Sequence, residues 1–433
     1  METIDRTSAT PLVTPEQPPT AGPNILQPLR ERDFRLVFTG ETISLIGDQF
    51  HFVALAWLTL QLTGSGFALG TVLMVAAIPR AVFMLVGGAL SDRFSPRTLM
   101  LASNALRGVV VGIVAALVLT GNAELWQLYI LAGVFGVVDA IFHPALNTIV
   151  PMLVSERQLP PANALVQIMQ QASTLIGPAI AGLVVAAVQT GPAFAIDAAS
   201  FVIATLTLLL IRGGRRPARS KADGAGAEGL LGTIGSGIAY VWRDPPVRSL
   251  VLLVAAFNFA FAGPFQVGLP YLADTRFTGG AALFGILVSA AGAGALGGAA
   301  LAGSLSHVPR LGLVTMLIAG GMGLCLGLVG LAPHVAVVLL AMLGIGLGSG
   351  FINVRVIAWL QQRTPEAFRG RVMSLVFLGS IGLAPMSLAI SGAIIDFGAV
   401  TLMFVVAASI VLAAAAVGLL SGVPAQMTDE PAT

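Results

Sequence analysis

Charge is what this sequence has least of: 10% of its 433 residues are Asp, Glu, Lys or Arg, against 56% hydrophobic. A water-soluble domain carries about a quarter charged residues, so a folded body of this size cannot be kept in water, and the apolar excess runs nearly the whole length. Lysine is almost missing; the basic residues are Arg apart from Lys221. No basic run interleaves with aromatics, which argues against nucleic acid as a partner. The single cysteine, Cys325, has no internal disulfide partner and reads as a small apolar residue in an apolar segment. The glycine-rich stretch Gly292, Gly294, Gly297, Gly298 ends in neither Lys-Ser nor Lys-Thr, so it is no phosphate loop, and the chain alone does not run on ATP. There is no His-rich metal cluster and no nucleophile–base pair, so no metal, cofactor or enzymatic activity is expected. The polar, proline-rich start lacks the apolar core of a signal peptide and reads as a disordered tail.

What is present is a series of apolar stretches, each near the ~20 residues a helix needs to cross the hydrocarbon core. Twelve spans are expected, at about 36–62, 67–90, 99–120, 125–152, 163–189, 192–212, 248–273, 281–305, 311–331, 334–361, 371–395 and 400–421. Lys and Arg concentrate on the cytoplasmic side of such proteins. With the N-terminus inside, alternation puts 18 of the 22 Lys and Arg inside and only Arg276 outside, while Arg80, Arg107 and Arg355 fall within spans. A miscounted span would invert everything after it and destroy the bias. The expectation is an all-α, multi-pass protein of a prokaryotic inner (plasma) membrane, with both termini cytoplasmic.

The longest polar interruption divides the chain into a cytoplasmic tail (1–35), a first six-helix bundle (36–212), a cytoplasmic linker (213–247), a second six-helix bundle (248–421) and a short tail (422–433). Within the linker, Leu230, Ile234, Ile238 and Val241 share one helical face, the pattern of an amphipathic helix on a membrane surface or of a loosely packed linker helix. The halves repeat weakly. Gly88-Ala89-Leu90-Ser91-Asp92 and Gly303-Ser304-Leu305-Ser306-His307 each follow the second span of their half, and each precedes a Pro-Arg pair. Such repeats mark secondary transporters, whose two bundles rock about a site near the bilayer midplane.

Charges inside the spans carry the most information, since each costs roughly 2.5–3.5 kcal/mol at a helix centre on the insertion scale. Asp48 and Asp139 lie about a dozen residues from the cytoplasmic ends of their spans, roughly 18 Å deep at 1.5 Å per residue, and Arg80 reaches similar depth. Asp48 pairs in helical spacing with His51, and Asp139 with His143. Burial favours the protonated carboxyl and a nearby Arg the ionised one. Groups balanced between the two can bind and release a proton, or else form a static network of ion pairs. Arg107 reads as shallower and structural on an outer helix, Glu41 as solvated near the cytoplasmic surface, and Asp197 as a local cap or pair near the outer surface. The second half is poor in charge. Its seventh span offers Asn258, Gln266 and several aromatics, and its tenth offers Asn353, the expected substrate-facing groups. Gly177 and Pro178 are expected to kink the fifth span, with Gly182 further along it.

The segment from Gly88 through Asp92, Arg93 and Pro96 to Arg97 resembles the signature loop between helices two and three of the major facilitator superfamily. Gly177-Pro178-Ala179-Ile180-Ala181-Gly182 resembles the fifth-helix motif of its drug/proton antiporters. Ser44–Asp48, Ile78-Pro79-Arg80, Ile196-Asp197-Ala198 and Arg369–Met373 are similar to the branch that holds enterobactin exporters and macrolide-efflux proteins. Ser95 replaces the usual glycine of the signature loop, and the fourth span carries Asp139 instead of the Arg of many antiporters. The resemblance implies that the first and fourth helices line a central cavity. It also implies that Asp92, held by Arg93 and Arg97, faces the start of the eleventh helix near Gly370 as a conformational gate. The function so expected is export of an amphipathic or drug-like small molecule, or a siderophore, driven by proton influx and carried out by a monomer in the lipid bilayer. An importer, symporter or uniporter on the same fold, and more remotely a non-transporting sensor, stand as alternatives.

Overall fold

Lipid offers no hydrogen bonds, so an apolar chain of this length must satisfy its backbone within helices. The structure is a computed structural model that describes residues 25–212, 241–305, 307–364, 372, 376, 379, 382–421 and 427; of residues 84–93, 143 and 246 it describes the backbone alone. The first half comprises α1 (Arg32–Thr63), α2 (Gly66–Arg93), α3 (Pro96–Leu119), α4 (Leu125–Leu153), α5 (Leu159–Val188) and α6 (Thr190–Leu209). In the second half, Pro245–Gly263, a π-helical turn over Pro264–Gly268 and Leu269–Thr275 run on as one rod, α7. It is followed by α8 (Gly280–Ser304), α9 (Leu311–Leu331), α10 (Val335–Arg363), α11 (Ala384–Asp396) and α12 (Val400–Leu420). Among the described residues, eleven helices are long and apolar enough to cross a membrane. α11 is described over 13 residues. The amphipathic segment expected at 230–243 falls almost wholly outside the described residues.

Local chemistry fixes the ends. Gly64 closes α1 in the left-handed region at φ 62, which a side chain would disfavour, and its N–H reaches Leu60 O. Ser95 caps α3 by accepting from Thr98 N–H, ahead of Pro96 in the first turn. Asp244 caps α7 in the same way, its carboxylate accepting from Val247 N–H. Pro264 supplies no N–H, and the π turn follows. Ser387 of α11 repairs the interruption, since its hydroxyl donates to Phe259 O (2.5 Å) and accepts from Gly263 N–H (2.9 Å).

Small residues set the spacing of the helices. A methyl group added at Gly294 or Gly298 of α8 would collide with the backbone of α10, and one at Gly346 or Gly350 of α10 with the backbone of α8. The same device joins the halves. Gly182 of α5 meets the Ala281 carbonyl, Gly285 of α8 meets the Pro178 carbonyl, and Gly70 and Gly392 bring α2 against α11. Ser289 of α8 accepts from Ala179 N–H of α5 at 3.0 Å.

These crossings crowd toward one end. The largest apolar core runs through both halves, from Phe50, Leu69 and Phe201 to Leu269, Phe284, Leu388 and Phe404. At the opposite end the apolar clusters are separate. One is built on Phe34, Phe142 and Leu165 of the first half, the other on Leu250, Trp359 and Leu360 of the second. The two bundles are thus fused at the end bearing the α1–α2 turn. The outward faces carry exposed Leu183, Val202, Leu317 and Leu340, as a lipid-facing surface should.

Candidate functional site: a charged cavity between the bundles

A cavity of about 630 Å³ opens between the halves, below the fused end. From the first bundle it is lined by Asp48 and His51 of α1, Arg80 of α2, Arg107 of α3 and Asp139 of α4. From the second it is lined by Asn258, Phe261, Phe265 and Gln266 of α7, with Leu388 of α11.

Arg107 is the centre of the charged wall, only 1% exposed. Its Nη1 lies 3.3 Å from Asp139 Oδ1 and 3.9 Å from Asp48 Oδ1, and its Nη2 donates to Asn104 Oδ1 at 2.6 Å. Asn104 in turn donates from Nδ2 to Glu41 Oε1 at 3.1 Å. The guanidinium is sandwiched by rings, its Cζ 4.2 Å from the Phe142 centroid and 4.6 Å from that of Phe201. Arg80 approaches from the cavity side, its Nε 3.0 Å from Asp139 Oδ2, with its side chain 45% exposed. A second group sits alongside. His51 Nδ1 lies 3.5 Å from Asp197 Oδ2, and the ring stacks on Phe135 at 4.4 Å with its edge toward Phe194.

Asp48, His51, Arg80 and Asp139, singled out in the sequence, therefore meet on one wall. The side chain of His143 lies outside the described residues. Three expectations are corrected. Arg107, read as a structural residue on an outer helix, is the hub, because α3 packs against α4 and α6 and its long side chain reaches inward. Glu41, read as solvated, is 1% exposed, because α1 begins at Arg32 and carries Glu41 deeper than a span starting at 36 would. Asp197, read as a pair near the outer surface, is fully buried against α1, with Gly47 leaving room for its carboxylate. The recurrence Glu41, Ser44, Asp48, His51 on α1, in steps of three and four, is the signal that would have placed them on one inward stripe.

The remaining motifs divide. Asn258 and Gln266 line the charged cavity, whereas Asn353 lines a neighbouring cavity of about 350 Å³ that Asn258 also borders. Around Gly177, Pro178 and Gly182 the α5 helix runs unbroken. A side chain at Gly177 would strike Gln49 of α1, and Gly182 meets α8, so the segment makes close packing contacts. For Gly88, Asp92 and Arg93 the structure describes the α2 backbone only, and Gly370 lies outside the described residues. The described bonds of Arg97 run from Nε to Leu208 O (3.0 Å) and from Nη2 to Leu209 O (2.9 Å), satisfying carbonyls at the end of α6.

An all-helical chain with paired bundles and a buried charged wall fits one known group. The family described as "Transmembrane secretion effector" matches residues 24–432. The chain belongs to this family of major facilitator transporters. Among relatives of this family member, macrolide efflux protein A of Streptococcus pyogenes is 24% identical over 390 residues, 89% of this chain and 94% of its own. Enterobactin exporter EntS of Shigella boydii serotype 18 is 29% identical over 344 residues, 79% of this chain and 80% of its own. The crystal structure of the nucleoside transporter NupG superposes with a TM-score of 0.68 at 12% identity, over 90% of this chain and 98% of that one. A bacterial homologue of the human lysosomal transporter Spinster does so with a TM-score of 0.67 at 15% identity, over 94% and 100%. The secretion-effector family member thus has the major facilitator fold and is a multi-pass membrane transporter acting on a small molecule.

Proposed function

We propose that this transporter exports an amphipathic small molecule by alternating access, exchanging it for protons, with both termini and residues 213–247 on the cytoplasmic side of the inner membrane. On this reading residues 36–212 and 248–421 are the moving bundles, working as a monomer, and the fused end faces outside. The observation that carries it is the two-faced cavity. A wall of carboxyls and arginines stands opposite Phe261, Phe265, Asn258 and Gln266. A mainly apolar, aromatic wall suits a lipophilic body, and a few amides suit its polar groups. Ionisable residues inside a membrane bundle mark ion or proton paths. Asp48 and Asp139, held by Arg107 and Arg80 and flanked by His51 and His143, form the coupling network on this reading. Asp92 with Arg93 and Arg97 forms the cytoplasmic gate.

Direction rests on the relatives, since the fold serves many cargoes. Macrolide efflux protein A and enterobactin exporter EntS are both named for outward movement of their cargo, which supports export. Inverted vesicles with an imposed pH gradient test the reading directly. A radiolabelled macrolide should accumulate when the interior is made acid and leak out when the gradient collapses. Accumulation that ignores the gradient would refute proton exchange, and movement only in the opposite direction would favour an importer.

A further inference from the structure

The buried network holds more acid than base. Among the described residues, Glu41, Asp48, Asp139 and Asp197 offer four negative charges, against the two fixed positive charges of Arg80 and Arg107. Charge inside a low-dielectric bundle is costly unless balanced. A near-neutral cluster therefore holds about two protons besides those on the arginines, and the geometry distributes them unequally. Asp139 has a guanidinium nitrogen close to each oxygen, at 3.0 and 3.3 Å, and Asp48 Oδ1, which makes no hydrogen bond among the described residues, has one at 3.9 Å, so both stand opposite arginine charge. Among the described residues Glu41 is hydrogen-bonded by the amide of Asn104, and its Oε2 is buried without a hydrogen bond. It is a place for a proton that stays. Asp197 is fully buried, both its carboxylate oxygens lack a hydrogen bond among the described residues, and His51 Nδ1 lies 3.5 Å from its Oδ2.

His51 differs from every other neighbour in reach. Its ring lines the cavity, while its Nδ1 points at Asp197, which does not line it. An imidazole has two nitrogens that can exchange roles. It takes a proton from cavity water on one nitrogen and releases the proton on Nδ1 to Asp197 Oδ2, leaving a neutral ring beside a neutral carboxylic acid. The reverse sequence returns the proton. The stack on Phe135 and the edge contact with Phe194 hold the ring in the plane this requires. The charged groups around the pair are Asp48 from α1, Arg107 from α3 and Asp139 from α4; α5 contains no ionisable residue and α6 none but Asp197. The charges of Asp48, Arg107 and Asp139 set the field at the pair, so a cargo that disturbs the Arg107–carboxylate contacts changes the pull on the proton.

We propose that the exchanged proton resides on the Asp197–His51 pair, with His51 as the relay from the cavity, while Asp48 and Asp139 serve as the fixed counter-anions that tune it. This rests on the proton-exchange reading above, and the test separates the two. Infrared difference spectra of the full chain in lipid, acid minus alkaline, report the carbonyl stretch of a protonated carboxyl. Asp197→Asn should remove the pH-dependent part of that band, and Asp48→Asn and Asp139→Asn should leave it. His51→Gln should slow its appearance after a pH jump, as a relay would and a merely packed ring would not. If Asp197→Asn fails to fold, Asp197→Glu should shift the band in frequency. In proteoliposomes, Asp197→Asn should lose more gradient-driven macrolide accumulation than macrolide counterflow. A band that survives Asp197→Asn and disappears with Asp48→Asn or Asp139→Asn would overturn the assignment. A wild type whose transport ignores the gradient would overturn proton exchange itself, while the band would still locate the titrating carboxyl.

Discussion

On the first bundle's side of the cavity stand Asp48, His51, Arg80, Arg107 and Asp139; on the second bundle's side stand Asn258, Gln266 and the rings of Phe261 and Phe265. The same helical scaffold is thus finished in two chemistries. The first bundle ties α1, α2, α3, α4 and α6 together through buried charge, with Arg107 as the tie. The second bundle is held at mid-membrane by backbone contact, where glycines of α8 and α10 face each other. Among the described residues its charged bonds include Arg276 on Gly330 O and Thr401 at one end and Arg363 on Asp244 at the other. On the proton-exchange reading proposed above, a bundle that changes protonation needs paired charges that can be rebalanced. A bundle that must present a lipophilic surface needs rigidity without them.

The sharpest way to break this contrast is to remove the tie. Arg107→Leu leaves Asp48 and Asp139 without their shared cation and Asn104 without its donor, and unpairing a buried charge costs about 3–5 kcal/mol. The purified variant should melt well below wild type, and gradient-driven transport should vanish. A melting temperature equal to wild type would mean that the network contributes nothing to the first bundle's cohesion.

The second bundle should break through shape. Gly298→Val drives a branched side chain into the Leu347 carbonyl of α10, whereas nothing lies within 4 Å of a methyl group at the adjacent Gly297. Overpacking costs typically about 1–3 kcal/mol, while Gly→Ala in an open helical position gains up to about 1 kcal/mol. Gly298→Val should lower thermal stability and Gly297→Ala should preserve or raise it. Equal responses from neighbouring glycines would show that α8 and α10 do not make the close crossing described.

Much of this architecture was legible in the sequence because hydropathy and the placement of arginine are one-dimensional properties. The apolar helices follow from counting residues, and the same count singles out Asp48, Asp139 and Arg80, which the structure brings to one wall. The members that counting misplaced are those whose position depends on direction. Arg107 belongs to a helix that reads as peripheral, yet its side chain crosses the bundle. Asp197 lies only eight residues into α6 on the observed start at Thr190, yet it faces α1 rather than the rim. The pairing of His51 with Asp197, far apart in the chain, leaves no local pattern, while its helical spacing with Asp48 does.

Where the bundles meet, the contrast becomes a partnership. Asp396, ending α11, accepts from Gly66 N–H at 2.7 Å, Phe67 N–H at 3.2 Å and Ser65 Oγ at 2.5 Å, so a carboxylate of the second bundle caps the first turn of α2 in the first. On the alternating-access reading proposed above, the contact breaks when the fused end opens. Asp396→Ala should cost that closed state about 1 kcal/mol, roughly a fivefold change in the closed-to-open ratio. Spin labels at the exposed positions Leu62 and Phe397, in a Cys325→Ser background, would read it as a larger long-distance population. An unchanged distance distribution would mean that glycine packing alone holds the end shut.

A last comparison separates the two cavities that Asn258 borders. Asn258 borders both, whereas Asn353 borders only the smaller one and is exposed. If cargo recognition belongs to the aromatic wall, Asn258→Ala should raise the KM for a macrolide probe by up to about tenfold, the range of one lost polar contact. Asn353→Ala should stay within about twofold, as exposed substitutions do. Neither should alter the pH dependence of transport, because neither touches the carboxyl network. A pH profile displaced by Asn258→Ala would show that the polar wall senses the proton as well, and the division of labour between the bundles would fail at its weakest seam.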